Sequence, residues 1–411
     1  MRDSQKIADF LSKWKSLNEP NLSVMLEYRD ICTDLMFSSE QIIVRATNIM
    51  RQNISSWAAK HCEAYRQAKP YYTRSDLERK DSWQVKSLIG QSASMRSSGS
   101  TTGVGFKYLR WEPMLMFIEA ENHYDMIMDE FHIRDKPEIL NCFSTPMSRD
   151  GEHITVRSDS GNFMDHHGLR RRANVHYLNI AMQKEDEDAS FAALFEHLRR
   201  NRIDVMFTNG PQINKLCAAI KRTGYEGPVC DLLSNTNEMM LKDDRSFLVQ
   251  NGHVKRTCDH MRCWDGGASF FTCGFGTYHL MDNMSWCVAV GDKLVSTDYL
   301  NPVCPFVNYW NGDYCKIDEK YRRCGCGRMY RPFEFLENRP FAIKGKSVLE
   351  YKRRMIESGI TNLKQVRCNR NVIEIVSREE LTQESKEKIA RILDRLKIVF
   401  LVEPHGQPGQ Q

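Results

Sequence analysis

The chain has 411 residues, 41% of them apolar and 27% charged, with 58 basic against 53 acidic side chains and a net charge of +5. Such a composition is that of a soluble globular protein of one large and one small domain, or of two or three modest ones, and so small a positive excess excludes nucleic-acid binding through bulk electrostatics. No stretch approaches the run of about 18 apolar residues that crosses a membrane, and no apolar signal core follows Met1, so the expectation is a cytoplasmic protein without a membrane partner.

Residues 1–70 read as helical, with few breakers before Pro70. Gly90 to Gly105, rich in Ser, Gly and Thr, reads as a loop. Leu115 to Ile127 is apolar enough for a buried helix. The acidic run from Lys184 to Asp188 reads as the charged N-terminus of a helix, and Phe191, Leu194, Phe195 and Leu198 continue it at helical spacing to Arg200. Ile203 to Thr208 is a buried strand. Asn209-Gly-Pro211 starts a helix that Gly224 ends, since Pro suits the first turn and Gly the left-handed cap. A strand from Val229 to Leu233, a helix from Asn237 to Val249 and a strand from Val254 to Cys258 follow. This alternation predicts a parallel sheet with covering helices.

Beyond residue 270 the pattern turns to short strands, with Gly291-Asp292 as a hairpin signal. From Ser347 the order is helix, strand, strand, helix, strand. The helices run from Ser347 to Ser358 and Gln383 to Leu396, and the strands from Leu363 to Cys368, Val372 to Val376 and Ile398 to Val402. The fold class is therefore α/β: a large N-terminal domain over 1–337, a hinge at 338–346 and a small mobile α+β domain over 347–411.

Fourteen cysteines without a signal peptide point to buried thiols or a metal site rather than disulfides. Cys32, Cys62, Cys142, Cys217 and Cys368 stand alone and read as packing residues. Cys273-Gly-Phe-Gly-Thr-Tyr-His279 and Cys324-Gly-Cys326-Gly offer three thiolates and an imidazole, a set that suits tetrahedral zinc, with Cys258, His260, Cys263 and Cys315 as possible substitutes and packed free thiols as the alternative.

Ser97-Ser98-Gly99-Ser100-Thr101-Thr102-Gly103, with Lys107 four residues on, has the makings of a phosphate loop. Glycines let the backbone approach phosphate oxygens, hydroxyl and amide groups donate to them, and a lysine adds charge. It is not the Gly-x4-Gly-Lys-Ser/Thr loop of kinases and GTPases, and by itself such a run also serves as a linker. No Gly-x-Ser-x-Gly elbow supports a hydrolase. His166-His167 with Arg170-Arg171-Arg172 reads as a solvated basic loop.

With these residues the chain resembles the adenylate-forming superfamily, and within it the phenylacetate–CoA ligase and acyl-protein synthetase branch. That family's loop reads Ser/Thr-Ser-Gly-Ser/Thr-Thr-Gly-x-Pro-Lys; here one hydroxyl residue is inserted and Phe106 stands in place of Pro. Ser234-Asn-Thr-Asn-Glu238 lies where the family has a Gly-Glu step beside adenine. Cys263-Trp-Asp265-Gly-Gly lies where Tyr-Gly-x-Thr-Glu is usual, so the resemblance puts Asp265 in place of the glutamate that helps to hold Mg²⁺–ATP. Tyr309-Trp-Asn-Gly-Asp313 resembles Tyr-x-Thr-Gly-Asp, whose aspartate takes the ribose hydroxyls; Asn-Gly-Asp alone reads as a turn. Leu336-Glu-Asn-Arg339 resembles the Gly-Arg hinge, whose arginine reaches the ribose. The branch also often carries a Cys…Gly-x-His and Cys-x-Cys-Gly-Arg set, here ending in Arg328.

The resemblance implies nucleotide binding by Ser98, Gly99, Ser100, Thr101, Thr102, Gly103, Glu238, Asp313 and Arg339, with Lys107 and Asp265 catalytic. It implies ATP and Mg²⁺, a structural Zn²⁺, and activation of a carboxylic acid as an acyl-adenylate before transfer to coenzyme A or a carrier-protein thiol. The assembly expected is a monomer or homodimer. The family's late lysine, in a Gly-Lys context, has no counterpart after Lys397; either Lys344 or Lys346 serves in its place, or adenylation is slow, or the first half-reaction is altered. The alternative is a degenerate adenylate fold that binds nucleotide or a partner, or a transferase of AMP or acyl groups to another acceptor. Phe117, Tyr124 and Phe131 are candidates for the acyl pocket, with core packing as their ordinary role.

Overall fold

The computed structural model describes residues 4–15, 22–77, 83–96, 107–111, 126–134, 136–142, 154–158, 173–178, 184–236, 240–262, 266–335, 348–360, 363–369, 372–377, 379–393 and 396–402. The N-terminal part is helical, as the sequence predicts: α1 (Ser4–Lys15), α2 (Leu22–Leu35) and α3 (Glu40–His61). In α1, Ile7, Phe10, Leu11 and Trp14 recur at helical spacing and are buried. Phe10 and Trp14 close on Tyr28 of α2, with ring centroids 5.3 and 5.7 Å away.

At the centre lies an eight-stranded sheet in the order β10-β9-β8-β7-β6-β3-β5-β4. Its members are β3 (Glu138–Asn141), β4 (Ile154–Ser158), β5 (Asn174–Leu178), β6 (Val205–Asn209), β7 (Cys230–Thr236), β8 (Val254–Arg262), β9 (Ser269–Thr272) and β10 (Tyr278–Leu280). The five strands from β8 to β5 are parallel, and antiparallel strands flank them on both edges. Successive side chains point to opposite faces. Leu140, Met206 and Leu233 therefore meet one apolar cluster with α4 (Lys184–Arg200) and α5 (Gly210–Thr223), while Ile139, Val205, Phe207 and Leu232 meet another with the N-terminal helices. Both faces being covered explains the continuous apolar runs of the parallel strands.

Helix α5 starts and stops where its residues dictate. The Asn209 side chain accepts a hydrogen bond from the Gln212 N–H at 3.1 Å, Pro211 sits in the first turn, and Gly224 takes φ 64° at the end. Helix α6 (Lys242–Gln250) begins five residues later than the sequence reading places it. Of the apolar stretch from Leu115 to Ile127, only 126–127 lie among the described residues, in a helical turn over 126–130.

A second sheet is antiparallel, in the order β11-β12-β13-β16. It holds β11 (Ser285–Val290), β12 (Lys293–Asp298), β13 (Tyr309–Ile317) and β16 (Phe333–Phe335). Gly291-Asp292 makes the tight turn between its first two strands, with Gly291 at φ 59°. Two small hairpins complete this part: β1 (Ser92–Arg96) with β2 (Lys107–Trp111), and β14 (Arg322–Arg323) with β15 (Met329–Tyr330). The stretch from Gly90 to Gly105 is thus not loop throughout: its start is a short 3-10 turn and then a strand.

The C-terminal elements are α7 (Val348–Glu357), β17 (Leu363–Asn369), β18 (Val372–Ser377), α8 (Gln383–Leu393) and β19 (Lys397–Val402). They enclose their own apolar cluster around Met355, Ile375 and Ile389. β18 pairs antiparallel with β17 and parallel with β19, the crossover being α8.

Candidate functional site

The carboxyl ends of β6, β7 and β8 point to one rim of the parallel sheet, the usual place for ligands in open α/β sheets. Three sequence motifs converge on elements that are tied together near this rim.

The first is the Ser/Gly run. Arg96 of β1 stands opposite Lys107 of β2, so residues 97–106 join the two strands of a hairpin. Ser98 to Gly103 lie outside the described residues. The stem is anchored from below: Arg110 donates to Asp298 at 3.1 Å with both side chains almost fully buried, Asn301 accepts the Trp111 N–H at 3.2 Å, and its amide donates to the Leu109 carbonyl at 3.0 Å.

The second is the Gly266-Gly267 step that follows Asp265. Asp265 itself lies outside the described residues. Gly266 and Gly267 have φ 102° and 74°, values that L side chains rarely adopt. A β-carbon on Gly266 would come within 2.8 Å of the Tyr309 ring, and one on Gly267 within 2.6 Å of Asp298. The Ser296 hydroxyl also donates to the Gly266 carbonyl at 2.7 Å. The chain therefore runs flat against β12 and β13, and the carboxylate that holds Arg110 is the surface against which Gly267 packs.

The third is Tyr309-Trp-Asn-Gly-Asp313. It is not a turn but a bulge within β13: Val295 faces Trp310 and Lys293 faces Tyr314, so four steps on β13 answer two on β12. A bulge re-aims side chains at a sheet edge. Gly312 takes φ 99°, the Asn311 amide donates to the Asp313 carboxylate at 3.0 Å, and Asn311 accepts the Asp313 N–H at 3.0 Å.

Glu238 and Arg339 lie outside the described residues. Asp259 accepts from the Asn235 side chain at 2.8 Å and from the Met240 N–H at 3.2 Å, and its other oxygen takes Tyr278 at 3.0 Å and Arg245. Close by, the Ser234 hydroxyl and His260 Nδ1 are 2.8 Å apart, and burial pushes the His260 imidazole down to about 3.

Cys273, His279, Cys324 and Cys326 come together on two turns. Their ligand atoms all lie within 4.8 Å of one another. One turn joins β9 to β10: the Cys273 N–H donates to Thr277 at 3.0 Å and the Gly276 N–H to Cys273 at 2.9 Å. The other joins β14 to β15, with the Cys324 N–H on Arg328 at 2.8 Å and the Gly327 N–H on Cys324 at 2.9 Å. The Cys273 and Cys324 sulfurs are 3.7 Å apart, and Cys326 is 3.5 Å from His279 Nε2. Zn–S bonds of about 2.3 Å and Zn–N bonds of about 2.05 Å in a tetrahedron require edges of about 3.8 Å between sulfurs and about 3.6 Å between sulfur and nitrogen. The Cys273–Cys324 and Cys326–His279 separations match these edges, so the four residues could hold such an ion. The Cys326 thiol is pushed down, first by the hydrogen bond from Cys273 and then by His279, while Cys273 is pushed up by its bond to Cys326 and by burial.

The substitutes considered from sequence go elsewhere. Cys258 donates to the Thr272 carbonyl at 3.2 Å, His260 is bonded to Ser234, and Cys315 is buried in another cluster. Cys263, like Phe117, Tyr124, Lys344, Lys346 and the His166–Arg172 run, lies outside the described residues. Phe131 is buried in the main core, and Cys32, Cys62, Cys142 and Cys217 are buried thiols that form no disulfide. Arg110, Glu130, Asp259 and Asp298 carry no motif, and sequence reading missed them; each is recognisable only through a partner far along the chain.

These elements make a large α/β body followed by a small α+β unit, a fold shared with a solved CoA ligase. Among solved structures, 2-hydroxyisobutyryl-CoA ligase in the postadenylation state in complex with R3-HIB-AMP has a TM-score of 0.59 at 10% identity, over 92% of this chain and 90% of that one. The same ligase in complex with 2-HIB-AMP and CoA, in the thioesterification state, has a TM-score of 0.56 at 11% identity, over 92% of this chain and 91% of that one. No family model matches the sequence, and no curated protein does. No helix among the described residues is long and apolar enough to cross a membrane.

Proposed function

We propose that this chain activates a carboxylic acid with ATP and passes the acyl group to a thiol. In the first step a carboxylate oxygen attacks the α-phosphate, giving acyl-AMP and pyrophosphate. In the second a thiol takes the acyl group and releases AMP. The observation that carries this reading is the likeness along nine tenths of both chains to a ligase crystallised with an acyl-adenylate and with CoA. Coenzyme A is the favoured acceptor and a carrier-protein thiol the alternative.

The chemistry is positioning and charge neutralisation. Residues 97–103 and Lys107 hold phosphates, Asp313 and Arg339 hold the ribose, and Glu238 stands beside the base. Mg²⁺ neutralises the phosphates when bound, and Asp265 is the residue to hold it. The Arg110–Asp298 pair supports this arrangement physically, because one buried carboxylate fixes both the hairpin stem and the glycine step after Asp265. Cys273, His279, Cys324 and Cys326 hold a structural zinc ion in this reading, since all four donors come from protein and none is left open. The protein is read as cytoplasmic, a monomer or homodimer, with residues 347–411 as a mobile domain beyond a hinge at 338–346.

Pyrophosphate exchange into ATP across a panel of carboxylic acids tests the reading. The expected result is acid-dependent exchange that Asp313→Ala abolishes. ATP binding without exchange for any acid would overturn it in favour of a nucleotide-binding protein that has lost adenylation.

A further inference from the structure

Glu130 and Arg328 lie beside the four-donor cluster without belonging to it. Glu130 ends the helical turn over 126–130, and Arg328 follows Cys326 by two residues. One carboxylate oxygen of Glu130 accepts the N–H of Gly274, the residue after Cys273, at 2.9 Å, and the other accepts from the Arg328 guanidinium. The Arg328 carbonyl in turn accepts the Cys324 N–H. The guanidinium lies over the Phe37 and Phe271 rings, 4.6 and 5.3 Å from their centroids. Only 8% of the Glu130 side chain and 4% of the Arg328 side chain are exposed.

A buried ion pair loses hydration on both partners, and an apolar pair of similar volume usually serves stability as well or better. What an apolar pair cannot do is grip a backbone N–H on one turn while holding the chain of the other. Glu130 does both: it is bonded directly to the Cys273 turn and, through Arg328, to the Cys324–Cys326 turn. The sulfurs on these turns must stay near 3.7 Å apart if they are to share one ion.

We infer that Glu130 is a positioning residue for the metal centre, setting the spacing between the two cysteine-bearing turns with Arg328 as its strut. This rests on the zinc reading above. Outer-shell partners of this kind change metal affinity by about 10–100-fold when removed.

The test uses full-length protein loaded with Zn²⁺, with release measured against a chromogenic chelator, and a parallel Co²⁺-substituted sample read by its d–d and sulfur-to-cobalt absorption. Glu130→Gln keeps the shape and the acceptor for Gly274 but removes the charge that holds Arg328. The expected result is about a 10–100-fold loss of zinc affinity and altered cobalt bands, with unchanged far-ultraviolet circular dichroism of the metal-free protein. Glu130→Asp is expected to recover part of the affinity. Zinc affinity and cobalt bands equal to wild type would overturn the inference, even with lowered thermal stability. Should Glu130→Gln fail to fold, Arg328→Lys carries the same readouts, because it keeps a positive charge and loses the planar fork. Wild-type protein that binds no zinc at all would instead overturn the zinc reading itself.

Discussion

Replacing Gly267 by alanine tests whether the buried Asp298 carboxylate sets the path of the chain after Asp265. Two separable penalties follow from the geometry. The backbone at φ 74° is left-handed, which costs an L residue about 1–2 kcal/mol. The new methyl would also lie 2.6 Å from both Cβ and Cγ of Asp298. That side chain cannot simply swing aside, since it holds Arg110 at 3.1 Å and the Leu300 N–H at 2.8 Å in full burial. Overpacking of this kind costs about 1–3 kcal/mol. Gly252→Ala is the internal control: its φ is 72°, but a methyl there meets nothing within 4 Å. Thermal unfolding should therefore show Gly267→Ala losing about 2 kcal/mol more than Gly252→Ala, a further fall of about 2–4 °C for a domain of this size. Pyrophosphate exchange should fall in the first variant and hold in the second. Equal losses of stability in the two would refute the argument from Asp298.

Acid should destabilise the protein through His260. Its folded imidazole titrates near 3, below the ordinary value of 6.5, so the contribution is full above pH 6.5 and is lost as pH falls towards 3. Each pH unit in that window removes about 1.4 kcal/mol, and melting temperatures of wild type and His260→Phe should converge from pH 7 to pH 5.5; parallel curves would count against it. Arg331→Met should cost about 3–5 kcal/mol by thermal unfolding, because Asp282 is wholly buried and its carboxylate takes the guanidinium. Arg331→Met/Asp282→Leu should recover part of that loss, and a double variant no more stable than the single one would contradict the role of an unpaired charge. Cys324→Ser should leave less than about half an equivalent of zinc by elemental analysis of purified protein, and full retention would remove Cys324 from the ligand set.

Local rules were enough for much of the architecture. Asn209, Pro211 and Gly224 bracket α5 by capping chemistry that needs no knowledge of the rest of the chain. The alternation of apolar strands and helices from Ala189 to Cys258 announced the parallel sheet, and the helix and strand order after Ser347 was readable from periodicity. Gly291-Asp292 turned as such a pair should. The cysteine and histidine pattern singled out four candidate donors, because donor type and spacing are properties of the sequence. That they converge is a tertiary fact, since Cys273 and Cys324 are 51 residues apart.

What escaped sequence reading depends on long-range pairing. Asn-Gly-Asp favours a turn locally, and only the register against β12 makes it a bulge. The start of α6 shifted to Lys242, while Asp259 of the neighbouring strand took the Met240 N–H just before it. Arg110 finds Asp298 across 188 residues, and Arg328 finds Glu130 across 198. Each is an ordinary charged residue in sequence, and becomes informative only when burial removes water and the charge must be satisfied by groups inside the protein. Composition and periodicity determined that this chain would build a covered parallel sheet and a small α+β unit. Only the folded arrangement decided which charges would be sealed inside, and so which turns they hold in place.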